Sequence, residues 1–268
     1  VSAPVEPAEP AELLDLAVEV AREAAELVRE ARARGVSVAA TKSSEVDVVT
    51  EADRASERLI RERLVAARPD DAILGEEGDD RAGTSGVRWV VDPIDGTVNF
   101  VYGVPAYAVS IAAERDGEVV AGVVLNVATG TTYTATLDGP ALRDGEPISV
   151  RDDAPLSQRL VATGFNYDAG LRERQAQALV RLLPRVRDIR RIGACSLDLC
   201  GVAEGTVDGY VEEGINLWDH AAGGLVAERA GARVEVGTGV LGRRMVIAAP
   251  SGGFDVLRRA LVDAGYCD

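Results

Sequence analysis

The segment Trp89-Val-Val-Asp92-Pro93-Ile94-Asp95-Gly96-Thr97-Val98-Asn99-Phe100 constrains this chain more than any other. An apolar run ends on Asp92. Proline then fixes the backbone and is expected to end ladder pairing. Asp95 follows three residues later, and Gly96-Thr97 reads as the opening of a short helix. A tight turn of this kind can aim both carboxylates at one point, where free N–H groups of the helix start also face. Hard oxygen ligands suit magnesium, and amide donors at a helix start suit a phosphate. A plainer reading fits the same residues: Asp92 closes a strand and Asp95 caps a helix.

Three further acidic pieces carry the same double reading. Gly75-Glu76-Glu77-Gly78 follows a short apolar strand, as either a strand-end metal ligand pair or a solvated turn. Asp219 follows Trp218 at the head of an alanine-rich helix, as either a cap or a ligand pinned by that helix, and Gly223 and Gly224 suggest that the helix packs closely against another element. Thr50 and Asp53 have the spacing of a capping box.

The rest of the chain supplies a scaffold. Leu13, Leu14, Ala17, Val20, Ala21, Ala24, Leu27, Val28 and Ala31 recur at helical spacing, with Gly35 as a stop signal. A second helix starts at Thr50, shows Ala55, Leu59, Ile60 and Leu64 on its apolar face, and ends at Pro69. Strands are expected over residues 72–75, 87–91, 106–113, 118–126 and 131–136, with Asp116-Gly117 as a hairpin turn. Beyond about residue 155 strands and helices alternate: helices near 170–183, 196–203, 218–230 and 254–264, strands near 160, 186–192, 207–211 and 245–249. This is an α+β or α/β chain, with sheet covered by helices. Residues 1–10, with three prolines and two glutamates, read as a mobile lead-in. Residues 11–266 read as one domain with sub-lobes 11–153 and 154–266.

Composition narrows the chemistry. A formal net charge of −15 disfavours nucleic acid and anionic membrane surface as partners. An anionic substrate stays compatible where metal ions supply local positive charge. The apolar runs are too short for a membrane span, and no secretory leader is apparent. Three cysteines (Cys195, Cys200 and Cys267) argue against a disulfide framework and for free, buried thiols in the cytoplasm. His220 is the single histidine, so acid–base chemistry falls to carboxylates, hydroxyls or metal-bound water. It reads as a structural residue, and the basic run 185–191 reads as a solvated face or a dimer rim.

Taken together, the pieces resemble the inositol monophosphatase family. The likeness is carried by Gly75-Glu76-Glu77, by Asp92-Pro-Ile-Asp95-Gly-Thr97-Val-Asn99-Phe100, and by Trp218-Asp219-His-Ala-Ala-Gly223. Val46-Asp-Val-Val-Thr50-Glu-Ala-Asp53, Gly193-Ala-Cys-Ser-Leu-Asp-Leu-Cys-Gly-Val-Ala203 and Gly209-Tyr-Val-Glu212 match in family order. Ala194 departs from the commoner Ser or Thr, and Glu228-Arg-Ala-Gly231-Ala232 matches with a one-residue offset.

The resemblance implies a layered αβαβα sandwich, a lithium-sensitive phosphatase with two to three Mg2+ ions per site, and a homodimer. It implies that Glu76, Asp92 and the carbonyl of Ile94 hold one ion, that Asp92, Asp95 and Asp219 hold a second, and that Glu76 shares a third. Asp53 and Thr97 would orient or activate the attacking water, with Glu76 beside them. Gly96 and Thr97 would meet the phosphate through their amides. Glu212 would bind substrate hydroxyls, and Gly193, Ala194 and Cys195 would line the polyol or sugar end. Inositol 1-phosphate leads as substrate; fructose 1,6-bisphosphate, NADP, a nucleotide 3′-phosphate and histidinol phosphate are alternatives. A regulatory protein that keeps the fold without catalysis is a reading from another class.

Overall fold

A computed structural model describes residues 9–36, 38–41 and 48–268. Residues 1–8 of the expected lead-in, and residues 46 and 47 of the family-like N-terminal segment, lie outside the described residues.

Helix α1 (Pro10–Arg34) takes proline in its first turn and buries Leu13, Ala17, Val20, Ala21, Ala24 and Val28 along one stripe. After the short strands β1 (Val38–Thr41) and β2 (Val48–Thr50), helix α2 (Glu51–Ala67) opens with the expected capping box. Thr50 Oγ1 accepts the Asp53 amide, and the Asp53 carboxylate accepts the Thr50 amide. A cap of this type stabilises a helix by about 1 kcal/mol.

A seven-stranded sheet follows, in the order β3 (Ala72–Gly75), β4 (Val87–Asp95), β5 (Ala108–Arg115), β6 (Glu118–Asn126), β7 (Thr132–Thr136), β8 (Leu142–Arg143), β9 (Glu146–Pro147). Only β3 and β4 run parallel; the other pairs are antiparallel. Short helix α3 (Thr97–Tyr102) interrupts between β4 and β5. Asp116 and Gly117 both adopt positive φ at the β5–β6 hairpin, as the turn motif requires.

The second half builds a mixed five-stranded sheet. Its order is β11 (Asp188–Arg190), β10 (Leu160–Thr163), β12 (Gly209–Glu213), β14 (Arg244–Pro250), β13 (Ala232–Thr238). Strand β10 is parallel to both its neighbours, and β12, β14 and β13 pair antiparallel. The accompanying helices are α4 (Ala169–Leu182), α5 (Cys195–Ala203), α6 (Leu217–Arg229) and α7 (Phe254–Ala264).

Alternation along the strands sorts the layers. Trp89, Val91, Ile111, Ala113, Val123 and Leu125 pack against α1 and α2. Val90, Ala108, Ala112 and Val124 point the other way, toward α5 and α6, whose far side meets Ala162, Tyr210, Val246 and Ala248. Val161, Val211, Ile247 and Ala249 face α4 and α7. The result is the expected αβαβα stack. Each aliphatic side chain buried in it contributes about 1.5–3 kcal/mol.

Three expectations need correction. Pro93 does not end β4: pairing with β5 continues to Asp95 across a register shift between Asp92 and Asp95. A bulge accommodates the missing proline N–H. Strand β13 was not anticipated; it is an edge strand, half-exposed along its alternating face. Of the glycines expected to bring α6 close to a neighbour, Gly223 does so, since a Cβ there would lie 2.9 Å from the Ser196 carbonyl oxygen of α5. Gly224 has ordinary room.

Candidate active site

The bulge in β4 decides how the two aspartates are aimed. Residues three apart on a regular strand point to opposite faces. Here Asp92 lies opposite Ser110 and Asp95 opposite Ala108, two residues apart on β5. Both aspartates therefore share the face that looks toward α5 and α6. Ile94 points the other way into the α1–α2 core.

Gly96 then turns the chain into α3. Its φ of 88° is left-handed, and a Cβ would lie 2.9 Å from the Ala106 carbonyl oxygen and 3.2 Å from the Ala194 Cβ. Glycine alone meets both demands. The turn thus brings the Gly193–Ala194 strap of the second half against the start of α3. Asn99 fastens it, donating from Nδ2 to the carbonyls of Ala106 (2.7 Å) and Ile192 (2.9 Å).

Asp53 does more than cap α2. One carboxylate oxygen takes the Thr50 amide and hydroxyl, and the other, Oδ1, lies 3.0 Å from Thr97 Oγ1. That same hydroxyl lies 3.1 Å from the Ile94 carbonyl oxygen. Ser56 of α2 adds a bond to the Pro93 carbonyl at 3.1 Å. The cap takes one oxygen of the Asp53 carboxylate and leaves the other facing Thr97. Burial, the leading cause, pushes its pKa up, while the Thr50 and Thr97 bonds pull it down.

Asp95 serves as a cap from a distance. Helix α5 begins after Ala194, which offers no side-chain acceptor. Asp95, a hundred residues earlier, accepts the amides of Cys195 (3.2 Å) and Ser196 (2.7 Å) and the Ser196 hydroxyl. Its pKa is raised by burial, against the pull of these donors and of Arg191. Asp219 sits in the first turn of α6 and accepts the Asn216 amide. Burial, then Glu76, holds its pKa well above the usual carboxylate range.

Asp92 is the most confined of the set, at 1% exposure. Its one recorded amide donor is Ile94, at 3.1 Å. Burial raises its pKa well above the ordinary value, and Glu76, Asp95 and Asp219 each push it further. The four acids expected to converge are therefore electrostatic neighbours. Among the described residues, no three His, Cys, Asp or Glu side chains stand closely enough to hold an ion as they are. Asp95 and Asp219 are instead turned to protein donors. The donor set is all oxygen and its members repel one another, which matches a hard divalent cation in charge and chemistry.

Of the residues expected to meet the substrate's alcohol, Glu212 lies on the five-stranded sheet. Glu212 of β12 is half-buried, with its pKa raised to about 7, chiefly by burial, and it accepts the Tyr210 hydroxyl at 2.8 Å. Cys195 is buried beside Tyr210 and Glu212, and burial drives its thiol pKa up, so it is an inert wall. Cys200 and Cys267 are likewise free and buried. His220 is buried, and burial lowers its pKa to about 4, so it is neutral. The basic run divides. Arg185 and Arg190 pair on the surface with Asp263 and Asp188. Arg191 instead lies against Gly193, where a Cβ would come 2.1 Å from its Nη1.

Glu57 is a support of the candidate site that the sequence reading passed over. It is buried in α2 and accepts the amides of Glu77 (2.7 Å) and Gly78 (2.8 Å) while pairing with Arg61 at 2.7 Å. It holds the turn that carries Glu76. A glutamate on the apolar side of α2, four residues before an arginine, was the available signal. Ser196 and Asn99 are further supports that no local pattern announced.

With this geometry in hand, kinship can be read. Residues 9–263 match the Inositol monophosphatase family. The chain belongs to that family. An inositol-1-monophosphatase of Mycobacterium bovis is 47% identical over 273 residues, covering 94% of each protein. The solved structure of Mycobacterium tuberculosis SuhB superposes with a TM-score of 0.83 at 44% identity, over 97% of this chain and 99% of that one. A Nus factor SuhB of Pasteurella multocida is 36% identical over 224 residues, covering 83% of this chain and 84% of that protein. No helix among the described residues is long and apolar enough to cross a membrane.

Proposed function

We propose that this family member is a magnesium-dependent phosphatase that hydrolyses a small phosphate monoester, with inositol 1-phosphate or a close polyol phosphate as its substrate. One observation carries the reading. A continuous row, Thr50–Asp53–Thr97–Ile94 carbonyl, runs beside buried acids that raise one another's pKa. Structural caps have no need of that crowding.

The oxygen donors divide as the family resemblance implies. Glu76, Asp92 and the Ile94 carbonyl would hold one magnesium ion, and Asp92, Asp95 and Asp219 a second, with Glu76 shared by a third. Bound there, magnesium would screen the ester's charge and make water a better nucleophile. Everything else falls to the chain. The amides of Gly96 and Thr97, at the start of α3, meet the phosphate. Asp53 and Thr97 orient the attacking water and take up its proton; burial has already made Asp53 the better base. Gly193, Ala194 and Cys195 line the polyol end, and Glu212 receives its hydroxyls. A cytoplasmic homodimer that lithium inhibits completes the proposal.

The test is a substrate panel run with and without magnesium: inositol 1-phosphate, fructose 1,6-bisphosphate, NADP, a nucleotide 3′-phosphate and histidinol phosphate. The expected result is magnesium-dependent phosphate release, fastest from inositol 1-phosphate. A preference for another ester would move the substrate and keep the chemistry. No turnover anywhere in the panel, with or without magnesium, would favour the non-catalytic reading.

A further inference from the structure

Glu212 sits in a seat made by Gly164, which lies outside every family-like segment, and Tyr210, which lies within Gly209-Tyr-Val-Glu212 but was given no role there. Gly164 directly follows β10, whose last pair with β12 is Thr163 opposite Val211. The parallel register therefore carries Gly164 alongside Glu212. A Cβ on Gly164 would lie 1.9 Å from Glu212 Oε2, 2.0 Å from its Cδ and 2.1 Å from its Oε1. The carboxyl group occupies the space where a side chain at 164 would begin. Any residue but glycine must expel it.

Tyr210 completes the seat. It stands two residues before Glu212 on the same strand, so both side chains share a face. Its ring is fully buried and its hydroxyl reaches Glu212 Oε2 at 2.8 Å. Among the described residues it is the hydrogen-bond donor recorded for this carboxyl. One oxygen is thereby committed, and Oε1 is left for a ligand. The seat lies at the carboxyl ends of parallel strands β10 and β12, the edge where α/β sheets place ligands.

We infer that Gly164 and Tyr210 are specificity-determining positioning residues: by fixing Glu212 they make the site select phosphate esters whose alcohol bears further hydroxyls over esters whose alcohol bears none. The inference rests on the phosphatase reading and deepens it. A carboxyl oxygen held in one place reads a hydroxyl strongly, because its loss leaves a desolvated polar group unpaired. An aryl phosphate has no group to offer it.

The experiment compares kcat/KM for inositol 1-phosphate and 4-nitrophenyl phosphate, with magnesium, in the unsubstituted chain and in Tyr210→Phe, Gly164→Ala, Glu212→Ala and the Gly164→Ala/Glu212→Ala double variant. The ratio of the two should fall about ten-fold in Gly164→Ala and about three-fold in Tyr210→Phe. Gly164→Ala should cost nothing further in the Glu212→Ala background, because the clash is gone. That cycle separates seating from a general packing defect. A ratio that stays within about two-fold in both single variants would overturn the inference, as would a Gly164→Ala loss undiminished without Glu212. A carboxyl-carbon NMR titration of Glu212 in the metal-free protein supplies a readout apart from turnover. Tyr210→Phe should move it upward, since a donor to the ionised form is lost; an unmoved titration would refute the seat. Turnover of neither ester by the unsubstituted chain would sink the phosphatase reading and the specificity role with it, while a shifted Glu212 titration would still establish the seat.

Discussion

The two ends of the site are built on opposite principles. At the acid end, Asp53 and Asp95 are each held by several donors. Asp53 answers to Thr50 and Thr97, Asp95 to Cys195 and Ser196, Asp219 to Asn216. The donors come from separate stretches of chain, and the acids crowd one another. At the substrate end, Glu212 leans on one hydroxyl and on the absence of a side chain at Gly164. The lesson is a division of labour. The half proposed to perform the chemistry is braced by redundancy, so the loss of one donor should be absorbed, whereas the half proposed to read the alcohol hangs on single contacts that one substitution can retune.

The largest effect should come from Asp92→Asn. Loss of a ligand shared between two proposed ions should cut turnover about a thousand-fold or more. The same change should raise stability in EDTA at pH 7, because burial and the neighbouring acids disfavour the charged form of Asp92 in the fold and asparagine carries no charge. Every kcal/mol recovered shifts the midpoint by about 2–4 °C in a chain of this size. Magnesium should stabilise the unsubstituted chain by mass action and the variant far less. A variant that is both less active and less stable in EDTA would break the comparison, since it would make Asp92 a structural residue.

Next is Glu57→Ala. It strands the amides of Glu77 and Gly78 and the Arg61 guanidinium, whose Nη2 is already buried without a partner. The cost should be about 2–4 kcal/mol by denaturant melt, with weakened magnesium dependence because Glu76 loses its fixed turn. Ser196→Ala should be milder. Asp95 keeps two amide donors, so stability should fall by about 1 kcal/mol, and turnover should drop only several-fold. A Ser196→Ala effect as large as that of Asp92→Asn would show the acid end to be less redundant than its bonds suggest.

Much of this was legible in the sequence, and the exceptions share a cause. The capping box at Thr50 and Asp53, the hairpin at Asp116-Gly117 and the limits of α7 follow from local propensity, and local rules found them. The layer order came from the family resemblance, whereas the pattern of elements by itself said only that sheet is covered by helices. What stayed hidden depends on residues far apart in the chain. Nothing near Ala194 says that its helix is capped by Asp95, and nothing near Glu57 says that it reaches the amides of a turn twenty residues on. Pro93 misled for the opposite reason: the local rule that proline ends a ladder is sound, but a bulge lets β4 continue, and that bulge is what brings Asp92 and Asp95 to one face. Gly164 is the extreme case, since its role is the room it leaves for a side chain 48 residues away.

The smallest predicted effect probes the substrate end directly. Glu212 titrates near 7 in the folded chain against an ordinary value of 4.5, so the native state holds its proton more tightly than the unfolded chain does. The associated stability is fully present below pH 4.5 and is lost as pH rises through about 7. For a half-buried carboxyl the loss should be on the order of 1 kcal/mol once solvent screening is allowed for. Glu212→Gln carries no proton to lose. Denaturant midpoints for the metal-free protein should therefore fall between pH 4.5 and 7 in the unsubstituted chain by more than in the variant, and the two curves should separate above pH 7 with the variant on top. Parallel curves across that window would mean that Glu212 is solvated as freely as any surface carboxylate. The substrate end would then be an open wall, and its contrast with the acid end would be one of burial alone.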